Sequence, residues 1–149
     1  MEHLQNADIN ELKAHFRGEV LLPRDAGYDD ARQIWTATID RRPALIARCA
    51  TSEDIVRAVA LAREHDLLVS IRGGGHNIAG NAVCDDGLMI DLSLMKSVRV
   101  DANARRATVE PGCTLGDFDA AVQAHGLATP LGINSTTGVA GLTLGGGFG

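Results

Sequence analysis

The sequence predicts an α+β fold, and three observations carry that prediction. First, the stretch from Leu67 to Asp91 reads as strand, glycine loop, strand. The apolar run Leu67-Leu68-Val69-Ser70-Ile71 leads into Arg72-Gly73-Gly74-Gly75-His76-Asn77, and Leu88-Met89-Ile90 closes it. Second, an apolar run and a capped helical pattern stand directly before it, so the loop falls at a strand's carboxyl end in β-α-β order, where open α/β units bind ligands. Third, Val98 and Val100 precede the polar turn Asp101-Ala102-Asn103-Ala104, and Ala107 and Val109 follow it, the pattern of two strands sharing one face.

Taken in order, Ile9, Leu12 and Phe16 with charges between them suit a short amphipathic helix in a lead-in, residues 1–38, that packs on the domain surface. Val20-Leu21-Leu22-Pro23 reads as extended, and Tyr28-Asp29-Asp30-Ala31-Arg32 with Trp35 as a helical turn or two. Arg41-Arg42-Pro43 is a solvated turn, and Ala44 to Cys49 is the first core strand. Thr51 caps the next helix, with Asp54 completing a capping box and Glu53 beside it at the positive end of the helix dipole. Ile55, Val59 and Ala62 mark its expected buried stripe, while Arg63 and His65 lie near its negative end. Pro111-Gly112 ends the later strand pair. Thr114 with Asp117 then repeats the cap of a helix whose stripe is Leu115, Phe118 and Val122 and which Gly126 terminates. From Leu127 to Gly149 the chain is polar and glycine-rich, and a short helix is expected to begin near Thr137.

At 149 residues the chain is long enough for one domain with a sizeable core. The 45% hydrophobic and 22% charged content is ordinary for a soluble protein. Aromatic residues at 3% provide no stacking platform for single strands, and a net charge of -5 opposes a polyanionic partner, so nucleic acid is excluded as a ligand class. Met1-Glu2-His3-Leu4-Gln5-Asn6 has neither a basic nor an apolar leader segment, and no apolar run approaches about eighteen residues. No membrane association and a cytoplasmic location are expected. Cys49, Cys84 and Cys113 match neither a disulfide framework nor zinc spacing and read as small buried residues.

Glycine carries the chemical signal, because the 17 glycines bunch at 73–80 and 132–149. Three in succession after a strand reach positive φ without a Cβ in the way, and their N–H groups can converge on an anion. Arg72 adds a cation suited to phosphate, and His76 ends the loop with a nitrogen nucleophile. Ser135, Thr136 and Thr137 supply hydroxyls ahead of Gly138 and Gly141, where helical N–H groups would point outward. Two such loops predict two sides of one site for a phosphate-bearing cofactor. A P-loop would need Lys-Ser or Lys-Thr after its last glycine, and a Rossmann fingerprint a long helix after Gly-x-Gly-x-x-Gly; neither loop has them. Gly-x-Ser-x-Gly, His-Glu-x-x-His and Cys-x-x-Cys are absent. His3, His15, His65 and His125 read as surface histidines, Asp85 and Asp86 as a solvated turn, and no metal ligand set is expected.

The string I-R-G-G-G-H-N from Ile71 to Asn77, followed by Gly80, Asp85-Asp86-Gly87 and Asp91-Leu92-Ser93, resembles the berberine bridge enzyme-like flavin-dependent oxidoreductases. These belong to the vanillyl-alcohol oxidase/p-cresol methylhydroxylase (PCMH) fold group. The run G-V-A-G-L-T-L-G-G-G-F-G from Gly138 is similar to the family's second loop, and the spacing of Tyr28, Arg32 and Trp35 to its lead-in, to which no chemistry is assigned. The resemblance, from Tyr28 to Gly149, implies an α+β, PCMH-type FAD-binding domain over residues 39–149. Its two α/β subdomains would divide near Asn103 and grip the FAD pyrophosphate, the second being truncated. It implies cofactor contacts from Arg72, Gly73, Gly74, Gly75, His76, Asn77 and Gly80 on one side, and from Gly132, Ser135, Thr136, Thr137, Gly138, Gly141, Gly145 and Gly146 on the other.

The resemblance also implies covalent attachment of FAD through His76. Asn134 stands where some members carry a second attaching cysteine, so a single bond is expected. The implied activity is hydride removal from an alcohol or amine C–H of a small-molecule substrate, with O2 or another acceptor taking the electrons. The family's substrate region and catalytic base lie downstream of the motif ending at Gly149, so no catalytic residue is expected in this chain. A second reading is a non-catalytic nucleotide-binding fragment lacking the substrate domain, which a stop codon directly after Gly149 in the source gene, with stable soluble expression, would favour.

Overall fold

Three consecutive apolar residues, Leu88, Met89 and Ile90, are fully buried, and the rest of the first sheet is arranged on either side of them. The computed structural model describes residues 5–147. Strands β1 (Glu19–Leu21), β2 (Leu45–Arg48), β3 (Val69–Arg72) and β4 (Leu88–Asp91) form a sheet in the order β1-β2-β4-β3. β2 and β3 both run parallel to β4, and β1 closes the far edge antiparallel to β2. A central strand covered on both faces needs a continuous apolar run rather than alternation, and β4 has one.

The pairing register sorts the side chains into two cores. Leu45, Ala47, Leu88 and Ile90 share one face with Leu12 of α1 (Asn6–His15) and with Ala58 and Leu61 of α3 (Ser52–Glu64). Ile46 and Met89 alternate to the other face, where they meet Tyr28 and Ala31 of α2 (Tyr28–Ala31) together with Val83. The expected lead-in is therefore built into the domain: Ile9 and Leu12 are buried, β1 is a strand of the sheet, and the buried Tyr28 hydroxyl donates to the Pro43 carbonyl at 2.6 Å. Helix α2 is a single turn, which leaves Trp35 outside it.

The α3 cap forms as expected, with Thr51 Oγ1 accepting from the Asp54 N–H and the Asp54 carboxylate accepting from the Thr51 N–H. The buried stripe differs by one position. Asp54, Ala58, Leu61 and Ala62 face inward, Ile55 is half-buried, and Val59 is 47% exposed. The reason is Asp54, which also accepts from the N–H groups of Arg17, Gly18 and Ala50; burying that carboxylate sets the helix phase.

Strands β5 (Val98–Asp101) and β6 (Arg106–Val109) form a hairpin, pairing Val98 with Val109 and Val100 with Ala107. Its apolar side packs against a third core of Cys113, Leu115, Phe118, Val122 and Val139, drawn from α4 (Leu115–Gln123), α5 (Val139–Gly145) and the segment before α4. Asn103 lies in the turn of this hairpin, so a division there would cut paired strands; the chain passes from one sheet to the other between β4 and β5. Helix α5 starts at Val139, two residues after Thr137, with Gly138 as its N-cap. Met1 to Leu4, including His3, and Phe148 and Gly149 at the end of the second glycine run lie outside the described residues. The cysteines at 49, 84 and 113 are free and buried, and burial pushes the Cys49 thiol up to about 12.

Candidate functional site

The first glycine loop leaves the carboxyl end of β3, and the second lies in front of α5. Residues 135–139 run antiparallel to 113–116: the Leu115 N–H donates to the Thr137 carbonyl at 2.8 Å, Gly116 N–H to Ser135 at 2.9 Å, and Val139 N–H to Cys113 at 2.9 Å. That pairing carries Gly138 against the first loop. A Cβ on Gly74 would stand 2.3 Å from the Gly138 nitrogen, and one on Gly138 would stand 2.4 Å from the Gly74 nitrogen. The approach is backbone on backbone, so only glycine serves at both positions. Gly80, at φ +77, is packed against Ile39 and turns the loop back.

Between the loops lies a cleft of about 490 Å³, within the range of small-molecule and cofactor sites. Of the residues expected to hold a cofactor, Gly73, Gly74, Gly75, His76 and Asn77 line it from one side, and Thr137, Gly138, Gly141, Gly145 and Gly146 from the other. Ile71, Ile78, Ala79, Ala82 and Leu142 add apolar wall. A Cβ on Gly141, Gly145 or Gly146 would meet no atom within 4 Å, so the second side presents bare backbone to open space. Asn77 Oδ1 accepts from the Asn81 N–H at 3.0 Å and shapes the loop's far end.

Other expected contacts are directed elsewhere. Arg72 does not line the cleft: its Nη1 donates to the Ala31 carbonyl, and its Nε lies 3.9 Å from the buried Asp91 carboxylate, which also receives Arg48 and Ser93. Among the described residues no lysine or arginine lines the cleft, so an anion there is met by backbone N–H groups. Gly80 supports the loop from behind. Gly132 and Ser135 belong to a neighbouring surface depression with Leu115, Gly116 and Asp119.

The half-buried His76 is held on two sides. Trp35 stacks on its ring with centroids 4.5 Å apart and planes inclined by 18°, and the Trp35 N–H donates to the Gly75 carbonyl at 3.1 Å. Thr136 Oγ1 lies 3.1 Å from His76 Nε2. Trp35, to which the sequence assigns no chemistry, is thus the aromatic neighbour of the His76 ring. Its recurrence in the family's lead-in was the available signal, and nothing local ties residue 35 to residue 76.

A glycine-walled cleft with an aligned histidine, between a parallel β-α-β unit and a hairpin unit, defines a nucleotide-cofactor domain of the α+β, PCMH-type kind. The family model described as the FAD binding domain matches residues 43–149, and the chain belongs to that family. It is 39% identical over 133 residues to (R)-6-hydroxynicotine oxidase of Paenarthrobacter nicotinovorans, covering 89% of this chain and 29% of that protein. Among solved structures it matches 6-hydroxy-D-nicotine oxidase from Arthrobacter nicotinovorans with a TM-score of 0.83 and 38% identity, over 85% of this chain and 28% of the other. It also matches Physcomitrella patens BBE-like 1 with a TM-score of 0.87 and 26% identity, over 94% and 31%. The chain thus spans about three-tenths of the length of these relatives. No helix among the described residues is long and apolar enough to cross a membrane.

Proposed function

We propose that this chain is the FAD-holding part of an FAD-dependent oxidoreductase and that the flavin is attached through His76. The observation that carries the reading is the convergence of both glycine loops on one cleft with His76 on its wall. FAD suits the residues present. Backbone N–H groups of Gly73 to Gly75 and the uncluttered backbone at Gly138 and Gly141 can approach a pyrophosphate closely, while Ile71, Ile78, Ala79, Ala82 and Leu142 offer cover for aromatic surface. When bound, FAD supplies a two-electron acceptor for hydride from a C–H next to oxygen or nitrogen. The substrate class is a small-molecule alcohol or amine, consistent with the named 6-hydroxynicotine oxidases, and O2 or another acceptor takes the electrons.

The chain's own part is positional. The loops hold the cofactor, the apolar wall excludes water, and Trp35 and Thr136 fix the His76 ring. Attachment would join one His76 imidazole nitrogen to the flavin's 8α methyl carbon in place of one N–H and one C–H, and dioxygen would take the two electrons and two protons released, as hydrogen peroxide.

The test is intact mass of the acid-denatured chain expressed with ample flavin, beside its visible spectrum. Added mass of one FAD on the peptide containing His76 is expected, and His76→Ala should keep only releasable FAD. Yellow protein without an adduct would remove the attachment and leave FAD binding. A colourless, folded chain that ignores added FAD would overturn the reading altogether.

A further inference from the structure

We infer that Asn134 and Thr136 are positioning residues that hold the proton of the neutral His76 ring on Nε2 and leave the Nδ1 lone pair free. Asn134 Oδ1 accepts from the Thr136 N–H at 3.1 Å, which identifies that atom of the amide as the oxygen. The same oxygen lies 2.9 Å from Thr136 Oγ1. Oxygen facing oxygen at that distance requires the hydroxyl hydrogen to lie between them, since the amide oxygen has none to give. A hydroxyl has one hydrogen, so Thr136 Oγ1 can only accept from its other neighbour, His76 Nε2, at 3.1 Å. Nε2 therefore carries the hydrogen and Nδ1 the lone pair. Among the described residues no hydrogen bond reaches Nδ1, and the Trp35 ring covers a face of the imidazole without competing for either nitrogen.

The relay also gives Asn134 a purpose. Thr136 alone could donate to Nε2 and draw the proton onto Nδ1; the Asn134 oxygen removes that option by occupying the hydroxyl hydrogen. The consequence for attachment rests on the flavin reading above: Nδ1 is the nitrogen that forms the N–C bond, and Nε2–H and the flavin's methyl C–H supply the two protons. The tautomer itself does not depend on that reading.

Nitrogen-15 NMR of the whole chain labelled at histidine, in the absence of flavin and at alkaline pH, reads the tautomer directly. The expected result is a majority Nε2–H ring at His76, assigned by comparison with His76→Ala. Asn134→Leu should shift the ratio toward Nδ1–H by about fivefold, the effect of one ordinary hydrogen bond. Asn134→Asp, which keeps the acceptor oxygens, should hold it. Asn134→Leu also removes the bond to the Thr136 N–H. Thr136→Val, which preserves that bond, is therefore the second variant and should lower the Nε2–H share, with Thr136→Ser restoring it. A majority Nδ1–H ring in the unaltered chain would overturn the inference, as would an unchanged ratio in both Asn134→Leu and Thr136→Val. Mass spectrometry of the flavin-loaded chain separates the two ideas: the expected tautomer without any adduct would leave the relay standing and remove the attachment.

Discussion

Replacing Gly141 by alanine should move stability and cofactor binding in opposite directions. Gly141 lies within α5 and lines the cleft, and a Cβ built on it meets no atom within 4 Å. Glycine inside a helix is less stable than alanine by about 0.5–1 kcal/mol, and no neighbour here opposes the added methyl. The flavin-free chain should therefore gain roughly that amount, which for a protein of this size raises Tm by about 1–4 °C. Binding responds to a different quantity, the closeness with which a ligand can approach the helix backbone. A methyl in the open space beside Gly141 should cost at least about 1.4 kcal/mol of FAD affinity, or tenfold in Kd. Fluorescence titration with FAD and thermal unfolding of the same preparation read both effects, with Gly141→Leu as the larger perturbation. An unchanged FAD affinity in both variants would refute the placement of the cofactor against α5, because no ligand seated there could be indifferent to both.

Two further outcomes follow from contacts elsewhere. Gly74→Ala puts a Cβ 2.3 Å from the Gly138 nitrogen, so the two loops must separate by about an ångström; a loss of about 1–3 kcal/mol is expected in chemical denaturation together with weaker FAD binding, and Gly138→Ala should behave alike. Asp54→Asn should cost about 2–4 kcal/mol, because four N–H groups aim at a carboxylate that is 1% exposed. Burial pushes the Asp54 carboxyl up, but the N–H groups of Arg17, Ala50, Thr51 and Gly18 outweigh it and hold the folded value below the usual one. A depressed folded value means that this contribution is complete above the unfolded value of about 3.9 and is lost as pH falls through the folded one. Denaturation against pH should therefore decline below about pH 4 in the unaltered chain and be flatter in Asp54→Asn.

What was legible in the sequence was what neighbours along the chain decide. The capping boxes at Thr51 and Thr114, the hairpin register around Asn103 and the stripe of α4 depend on residues a few positions apart, and each formed as its pattern implied. The phase of α3 was not legible, because the groups that draw Asp54 inward belong to Arg17 and Gly18, far away in the chain. The two glycine loops were readable as ligand-facing backbone. Their contact at Gly74 and Gly138 depends on the pairing of residues 135–139 with 113–116, which leaves no local pattern.

Arg72 shows the same division with a consequence for the site. A cation beside a glycine triplet suggests a phosphate partner when only the sequence is considered, yet a buried carboxylate at Asp91 is a stronger claim on it, since that charge would otherwise be under-compensated. Arg72 is thereby held at the end of β3, and its donation to the Ala31 carbonyl ties α2 to the strand from which the loop departs. Four residues on from Ala31, Trp35 bonds the Gly75 carbonyl and stacks on His76. The loop is thus gripped at its root by Ala31 and at its tip by Trp35, both from the stretch that reads as a lead-in. His76 takes one of its two holds, the Trp35 ring, from a residue that precedes the matched family region, 43–149, and a chain trimmed to that region would keep the glycines of the cleft and Thr136 while losing the aromatic surface stacked on its histidine.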